Sequence, residues 1–196
     1  MKFKQLGITG FKSFSEKTTI LIENGLTGIV GPNGCGKSNI VEALRWCMGE
    51  NSAKSMRGSG MEDVIFSGTS NRPSRNISEV SLLLDNQNKE GPAQFKEFEE
   101  VSVKRKIEKD KGSKYYINDK EVRARDVQTL FADLSTGAHS PSLISQGKIG
   151  QLVISKPIER KSILEEAAGI SGIHSRRQEA ETRLNAAENN LKRADE

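Results

Sequence analysis

The chain has 196 residues, of which 34% are hydrophobic and 5% aromatic, so it can build one sizeable domain but not a rich core. Its two cysteines have no partner pair and no histidine cluster beside them, which argues against a disulfide framework and against a zinc site. Neither a signal-like N-terminus nor a run of about 18 apolar residues occurs, so we expect a cytoplasmic protein without a membrane segment.

The formal net charge of +4 comes from the first part of the chain. Residues 1–75 carry 10 basic and 6 acidic side chains, whereas residues 76–196 carry 20 of each. A polyanionic ligand such as a nucleotide or DNA fits this distribution, although a net charge of this size is ordinary for a globular protein.

The N-terminal residues predict short strands over 2–8, 17–22 and 26–31, separated by turn-prone segments. A helix is predicted over 37–48 because apolar side chains recur there at helical spacing. The predicted buried stripe of this helix consists of Ile40, Val41, Leu44 and Met48. A strand, a glycine-rich loop and a helix are therefore expected to follow one another without a break.

The middle of the chain predicts an antiparallel meander. Residues 49–76 are rich in Gly, Ser and Asn and predict loops around one short element at 61–66. The next predicted elements are strands over 77–85 and 98–108, a hairpin over 114–123 and a helix over 124–134. A loop with strand-like ends is predicted over 136–150. The second strand alternates with period 2, and one face carries Val101, Val103, Arg105 and Ile107. The hairpin is expected to turn at Asn118 and Asp119.

From Pro157 onward the sequence is helix-forming throughout. It carries a heptad seam made of Ile170, Ile173, Arg177, Ala180, Leu184, Ala187, Leu191 and Ala194. A helix lying on its own domain is one interpretation, but the polar opposite face favours a protruding coiled-coil arm. Such an arm needs a second helix that the chain does not supply, so we expect a fragment or half of a split structure. The predicted division is a lobe over 1–158 and an arm over 159–196.

The segment from Gly31 to Ser38 fits the pattern G-x-x-x-x-G-K-[ST] between a predicted strand and a predicted helix. Glycines let successive backbone N–H groups face an anion, and the helix start adds unpaired N–H groups and a positive dipole end. Lys37 is expected to neutralise the phosphates of ATP, and the Ser38 hydroxyl to bind Mg²⁺. The predicted nucleotide-binding residues of this segment are Gly31, Pro32, Asn33, Gly34, Cys35, Gly36, Lys37, Ser38 and Asn39.

Hydrolysis also needs an acidic residue at a strand end for the metal and a group that positions water. Asp85, at the end of an apolar run, is the sole candidate, but it follows the loop too soon and belongs to the predicted meander. The acidic machinery is therefore expected to lie outside this chain.

Five segments together resemble the N-terminal half of the ATPase head of SMC (structural maintenance of chromosomes) proteins, most like a bacterial chromosome-partition or condensin SMC. They are ITGFKSF at 8–14, GPNGCGKSNIVEALRW at 31–46, SMRGSGMEDVIFSGT at 55–69, SLISQGKIGQLVISKP at 142–157 and RKSILEEAAGISG at 160–172. The resemblance implies an α/β fold, the N-terminal lobe of an ABC-type P-loop NTPase head, with a mixed sheet that includes an antiparallel β meander and with an emerging coiled-coil helix.

The same resemblance implies roles for residues outside the glycine loop. Arg57 matches an arginine loop that approaches the phosphates, and Gln146 matches the glutamine that helps hold Mg²⁺, so both join Lys37 as expected catalytic residues. Lys12 and Ser13 match positions near the nucleotide, and Asp63 lies in a segment near its adenine side. Without the resemblance, Arg57 would be read as a solvated cation and Gln146 as an ordinary polar loop residue.

DNA contacts are also implied by the resemblance alone. Arg123 and Arg125 correspond to a basic cluster on the upper surface of paired heads, with a solvated strand end as the alternative. Gly60 stands where relatives often carry a lysine, which weakens that part of the DNA surface. The family's signature motif, Walker B acidic pair and switch histidine have no match here, and neither His139 nor His174 takes the histidine's place.

The resemblance implies an ATPase whose heads dimerise around ATP and whose cycle drives DNA entrapment or loop extrusion for chromosome condensation and segregation. Implied partners are the protein's own C-terminal head half, a second SMC head, a kleisin subunit and DNA, in the nucleoid and away from membranes. Two alternatives remain open: a DNA-repair ABC ATPase with a coiled coil, and a catalytically inert P-loop interaction module.

Overall fold

The computed structural model describes residues 1–89, 91–134, 136, 143, 150, 153–168 and 171–194. The strands of this part of the chain are β1 (Lys2–Thr9), β2 (Thr18–Leu21), β3 (Ile77–Asp85), β4 (Glu100–Glu108), β5 (Gly112–Ile117) and β6 (Lys120–Val122). Its helices are α1 (Lys37–Cys47), α2 (Ala124–Asp133), α3 (Pro157–Ala167) and α4 (Ser171–Ala194). Short 3-10 helices at Lys54–Met56, Met61–Val64 and Ala93–Phe95 interrupt the loops.

The strands form one sheet in the order β2-β1-β3-β4-β5-β6, and every neighbouring pair is antiparallel. The predicted meander is confirmed, including the hairpin between β5 and β6. Its two turn residues, Asn118 and Asp119, have φ angles of 47° and 61°. Asn and Asp tolerate this left-handed conformation, which matches the twist of a two-residue hairpin and explains how the turn forms without glycine.

One face of the sheet carries the core, against which α1 and α2 pack. The predicted alternation in β4 is confirmed, since all four residues on its inner face are buried, Arg105 among them. The helix α1 is also confirmed, but its buried face differs from the predicted stripe. Val41 and Leu44 are only partly buried, whereas Ala43, Trp46 and Cys47 are fully covered. Ile40 of the predicted stripe is buried as well.

Arg105 is a charged residue within this core, with 2% of its surface exposed. Its guanidinium carbon lies 4.4 Å from the ring centroid of Trp46 and 4.7 Å from that of Tyr115, a double cation–π contact. Its Nη1 donates to the carbonyl oxygens of Trp46 at 2.8 Å and Glu50 at 2.6 Å. Burial lowers the pKa of the guanidinium from its ordinary value. The side chain thereby joins the C-terminal end of α1 to β4 and β5.

Cys47 lies beside this cluster at the end of α1. Its Sγ is 3.4 Å from the carbonyl oxygen of Val80 in β3 and 3.6 Å from that of Val103 in β4. Burial raises the pKa of the thiol to about 12. Cys47 is therefore a packing residue that remains a neutral thiol at neutral pH.

The strand predicted at 26–31 is wrong. These residues form no strand, and the side chains of Leu26 and Val30 are 100% and 95% exposed. A strand is stable only when its backbone groups pair with a neighbour. Within the described residues, no strand of the sheet pairs with this segment. The apolar pattern is that of a buried strand, but the described part of the chain does not bury it.

The C-terminal residues are helical, as predicted, in α3 and α4. Residues 169 and 170, between these helices, lie outside the described residues. Three side chains of the predicted heptad seam, Ile173, Leu184 and Leu191, are each at least 60% exposed, although α4 also contacts α2. An exposed apolar seam is typical of a coiled-coil helix, while the division at 158/159 stays a prediction. No described helix is both long enough and apolar enough to cross a membrane.

We expect Arg105→Met to lower the free energy of unfolding by about 2–4 kcal/mol, because two buried carbonyl oxygens lose their donor and the cation–π contacts disappear. Lys104→Met is the matched control: Lys104 is the preceding residue of β4, on the opposite face, and its exposed pair with Asp119 accounts for less than about 1 kcal/mol. Urea unfolding of the three proteins measures both values. Equal effects of the two substitutions would contradict the structural role of Arg105.

Candidate nucleotide-binding site

The glycine loop has the backbone geometry that the sequence predicts. Gly34 and Gly36 have φ angles of +81° and +96°, and α1 begins directly after Gly36 with no acidic residue in its first turn. A Cβ at Gly36 would lie 2.5 Å from Ser13 Oγ, and one at Gly31 would lie 2.9 Å from Cys35 Sγ. Gly36 is favoured both by its positive φ and by this close approach, whereas a side chain at Gly31 would require Cys35 to move. The first turn of α1 offers unpaired N–H groups with no competing carboxylate.

The Lys37 ammonium bridges the loop. Its Nζ donates hydrogen bonds of 2.6 Å to the carbonyl oxygens of both Gly31 and Pro32, and it lies 3.8 Å from Cys35 Sγ. These acceptors are neutral, so an anionic ligand in the loop would be a stronger partner for the ammonium. The lysine is thus held where it can exchange carbonyl oxygens for phosphate oxygens.

The turn at residues 11–14 lies against the start of α1. The side-chain amide of Asn39 donates to Ser13 Oγ at 2.9 Å, and the backbone N–H of Lys12 donates to the Val64 carbonyl at 2.7 Å. Lys12 has a positive φ of 47°. The structure therefore brings Lys12 and Ser13 beside the loop, as expected, while their contact with a nucleotide stays a prediction.

Three charged side chains meet on one side of α1. Glu42 lies one turn after Ser38, and its carboxylate accepts from the Lys12 ammonium through Oε2 and pairs with the Arg57 guanidinium through Oε1. Lys12 Nζ also donates to the Met56 carbonyl at 2.5 Å. The Glu42 and Lys12 side chains are 10% and 15% exposed, whereas that of Arg57 is 59% exposed. Two of the sequence-predicted site residues thus share one buried carboxylate.

Asp63 holds the turn that follows Arg57. Its Oδ2 accepts from the Ser59 N–H at 2.6 Å, the Ser59 hydroxyl at 2.8 Å and the Gly60 N–H at 3.0 Å. The hydrogen bond from Gly60, followed by those from Ser59, lowers the pKa of this carboxyl below its ordinary value. A Cβ at Gly58 would lie 2.9 Å from the Asp63 Cβ, so this turn also needs glycine. The structure gives Asp63 a structural role, and its predicted nearness to adenine stays a prediction.

The roles predicted for the remaining residues stay untested. Gln146 lies outside the described residues, so its expected role at the metal is untested. Arg123 and Arg125 are exposed at the start of α2, a helix that contacts β5, and their DNA role stays a prediction. Asp85 ends β3 opposite Lys2 and Glu100, and its carboxylate accepts the Gln87 N–H at 2.9 Å, as expected of a residue of the meander.

Glu42 is the site residue that sequence reasoning missed. It lies four positions after Ser38, a spacing that places both on one face of a helix. The available sequence signal was this spacing together with the place of Glu42 among apolar residues of the helix. A carboxylate on a buried helix face needs a cationic partner. The sequence gives no indication of which cations these are, since Lys12 and Arg57 lie 30 and 15 positions away.

We expect the turn at 58–63 to lose order in acid. The folded-state pKa of Asp63 is below 3.8, so the stabilisation from its ionised form is complete above that value and is lost as the pH falls through the folded-state pKa. NMR chemical shifts of the Ser59 and Gly60 amides, followed against pH, report this titration. In Asp63→Asn the same amides should lose this titration, and a midpoint at or above 3.8 in the unmodified protein would contradict the assignment.

Comparison with known proteins places this geometry in a family. The model of the "RecF/RecN/SMC N terminal domain" matches residues 2–148. The chromosome partition protein Smc of Cereibacter sphaeroides is 57% identical over all 196 residues, and that of Rhodopseudomonas palustris is 56% identical over the same length. The chain spans 17% of the length of each of these relatives.

Solved structures agree with this placement. The Smc head domain of Pyrococcus furiosus, with an extended coiled coil and bound to the C-terminal domain of ScpA, has a TM-score of 0.79 at 31% identity and covers 99% of this chain and 48% of that one. A structure from a study of ATP-driven dimerization and DNA-stimulated activation of SMC ATPases has a TM-score of 0.72 at 30% identity and covers 85% of this chain and 99% of that one. The chain belongs to the RecF/RecN/SMC N-terminal domain family and forms the N-terminal lobe of an SMC-type, ABC-type head.

Proposed function

We propose that this chain binds Mg²⁺-ATP through the glycine loop and hydrolyses it together with a C-terminal head half. The observation that carries the proposal is the Lys37 ammonium, held between two loop carbonyl oxygens at the start of a helix whose first turn has no acidic residue. Gly34 and Gly36 have positive φ angles, and a Cβ at Gly36 would also meet Ser13 Oγ, so glycine suits a loop that wraps phosphates.

Each residue has a distinct role in this proposal. The N–H groups from Gly34 to Ser38 hold the phosphate oxygens, and Lys37 neutralises the β- and γ-phosphates. The Ser38 hydroxyl and the Gln146 side chain would hold Mg²⁺, which supplies further charge neutralisation between the β- and γ-oxygens. Arg57 approaches the phosphates from its turn beside α1.

The exposed segment at 26–30 supports completion by a second piece of chain. Leu26, Ile29 and Val30 present an apolar surface immediately before the loop, and exposed apolar patches mark sites of association. Strands from a C-terminal half would pair with this segment. They would also bring the acidic residues for the metal and for hydrolysis, which are expected outside this chain. Two such heads would then dimerise around two ATP molecules.

The wider role rests on the relatives. The Smc relatives are chromosome partition proteins, and one solved Smc head is bound to the C-terminal domain of ScpA. We therefore propose a kleisin of this kind and DNA as partners, with α3 and α4 starting a coiled-coil arm and Arg123 and Arg125 contacting DNA. In this proposal the ATP cycle in the cytoplasmic nucleoid drives DNA entrapment or loop extrusion, and thereby chromosome condensation and segregation.

The two alternatives make different predictions. A DNA-repair ABC ATPase belongs to the same broad family, but the 57% and 56% identity to chromosome partition proteins favours the SMC assignment. An inert P-loop module would bind nucleotide without turnover even when the C-terminal half is present. Measuring turnover therefore separates it from an ATPase.

We expect the head, assembled by co-expressing this chain with its C-terminal half, to hydrolyse ATP in a manner that depends on the loop. Lys37→Ala should lower turnover by at least about a hundredfold, the scale of losing one electrostatic stabiliser of the transition state. Gln146→Ala should lower turnover as well, and Arg57→Ala should weaken its stimulation by DNA. Phosphate release, with and without DNA, measures all three.

Lys17→Ala is the matched control, because Lys17 is an exposed lysine outside the loop and the cluster on α1. Its turnover should equal that of the unmodified head. Turnover that survives Lys37→Ala would rule out the proposed mechanism, and unchanged DNA stimulation in Arg57→Ala would rule out the role of that arginine.

A further inference from the structure

We infer that Glu42 is a positioning residue that holds the Lys12 and Arg57 side chains ready for the phosphates of the nucleotide. The inference rests on the proposed function and assigns a role to a residue outside the glycine loop. Its basis is one buried carboxylate whose two oxygens each take one cation, Lys12 on Oε2 and Arg57 on Oε1.

The helix places this carboxylate next to the predicted phosphate site. Glu42 follows Ser38 by four positions on α1, so the two side chains lie on the same face about 6 Å apart along the axis. A cation bound to Glu42 is therefore one helical turn from the end of α1 where the unpaired N–H groups lie. The carboxylate is too deep in the fold to bind a phosphate group itself, and it has the same sign of charge.

Both cationic residues have an unusual backbone conformation. Lys12 and Arg57 have φ angles of 47° and 56°, a region that non-glycine residues rarely adopt. Such conformations persist when surrounding contacts fix them, and they cluster at functional sites. Here the fixing contacts include the Lys12 N–H to the Val64 carbonyl, the Lys12 ammonium to the Met56 carbonyl and the shared Glu42 carboxylate. Glu42 thus joins two separate turns of the chain to α1.

Because Glu42 is negatively charged, a positioning role and simple charge repulsion predict opposite changes in ATP affinity when this charge is removed. A negative charge close to a phosphate site should weaken ATP binding if only long-range electrostatics mattered, and its removal should then strengthen binding. A positioning role predicts the opposite. Without the carboxylate, Arg57, already 59% exposed, is free to turn into solvent, and Lys12 keeps its hydrogen bond to the Met56 carbonyl.

The test is the affinity of the assembled head for a fluorescent Mg²⁺-ATP analogue in Glu42→Gln. We expect about tenfold weaker binding, the scale of one lost charge-assisted hydrogen bond. Glu42→Asp, which keeps the charge on a shorter side chain, should recover part of the affinity. In an Arg57→Ala background the further loss caused by Glu42→Gln should shrink to about threefold or less, since one of the two positioned cations is already absent.

Glu100→Gln is the control for net charge, because Glu100 pairs with Lys4 on the exposed surface of the sheet. It should leave the affinity unchanged, and urea unfolding without nucleotide checks that each variant is folded. Equal or tighter ATP binding in folded Glu42→Gln would overturn the inference, as would a full tenfold loss in the Arg57→Ala background. If the unmodified head bound no ATP, or bound it independently of Lys37, the proposed function itself would fail.

Discussion

The buried guanidinium of Arg105 fixes the position of α1, and the site depends on that helix. A buried cation is costly unless it finds hydrogen-bond acceptors. Arg105 Nη1 donates to two backbone carbonyl oxygens at the end of α1. The rings of Trp46 and Tyr115 cover its faces, one from the helix and one from β5. Hydrophobic contact alone would let the helix slide over the sheet, whereas these directional contacts define one position.

The middle of α1 uses charge in a different way. Glu42 is nearly as buried as Arg105, but its partners are cations on two loops that lie on the side of the predicted ligand. The helix therefore holds Arg105 through neutral backbone acceptors at its C-terminal end and has an ionic junction, formed by Glu42, at its midpoint. An anion that binds at the first turn acts on the ionic junction first, because Coulomb interactions extend farther than packing contacts.

Much of this arrangement could be predicted from local sequence. The loop, the helix after it and the inner face of β4 follow from glycine spacing and from period-2 and helical patterns, which depend on neighbouring residues. The strand at 26–31 was predicted wrongly because its apolar pattern describes a buried strand, and pattern alone does not supply the partner that buries it. The pairing of Glu42 with Lys12 and Arg57 was not predictable, since it joins residues far apart in the chain.

The protein family could be predicted from the sequence more readily than the side-chain contacts of the site, because sequence patterns are local and these contacts are not. The segments that carry the resemblance are continuous, so they can be recognised one at a time. Their meeting is a property of the tertiary structure: the Ser13 hydroxyl occupies the space that a Cβ on Gly36 would need, although the two residues are 23 positions apart. This contact also explains why a small hydroxyl side chain and a glycine face each other there.

The two cysteines differ in a way that makes the glycine loop accessible to chemical labelling. Cys35 is exposed within the loop, whereas Cys47 is buried and its thiol has a pKa of about 12. Thiol reagents react with the thiolate and need access to the sulfur, so at neutral pH they would modify Cys35 and leave Cys47 intact. The chain therefore carries a natural attachment point for a spectroscopic reporter two residues from Lys37, with no cysteine to remove first.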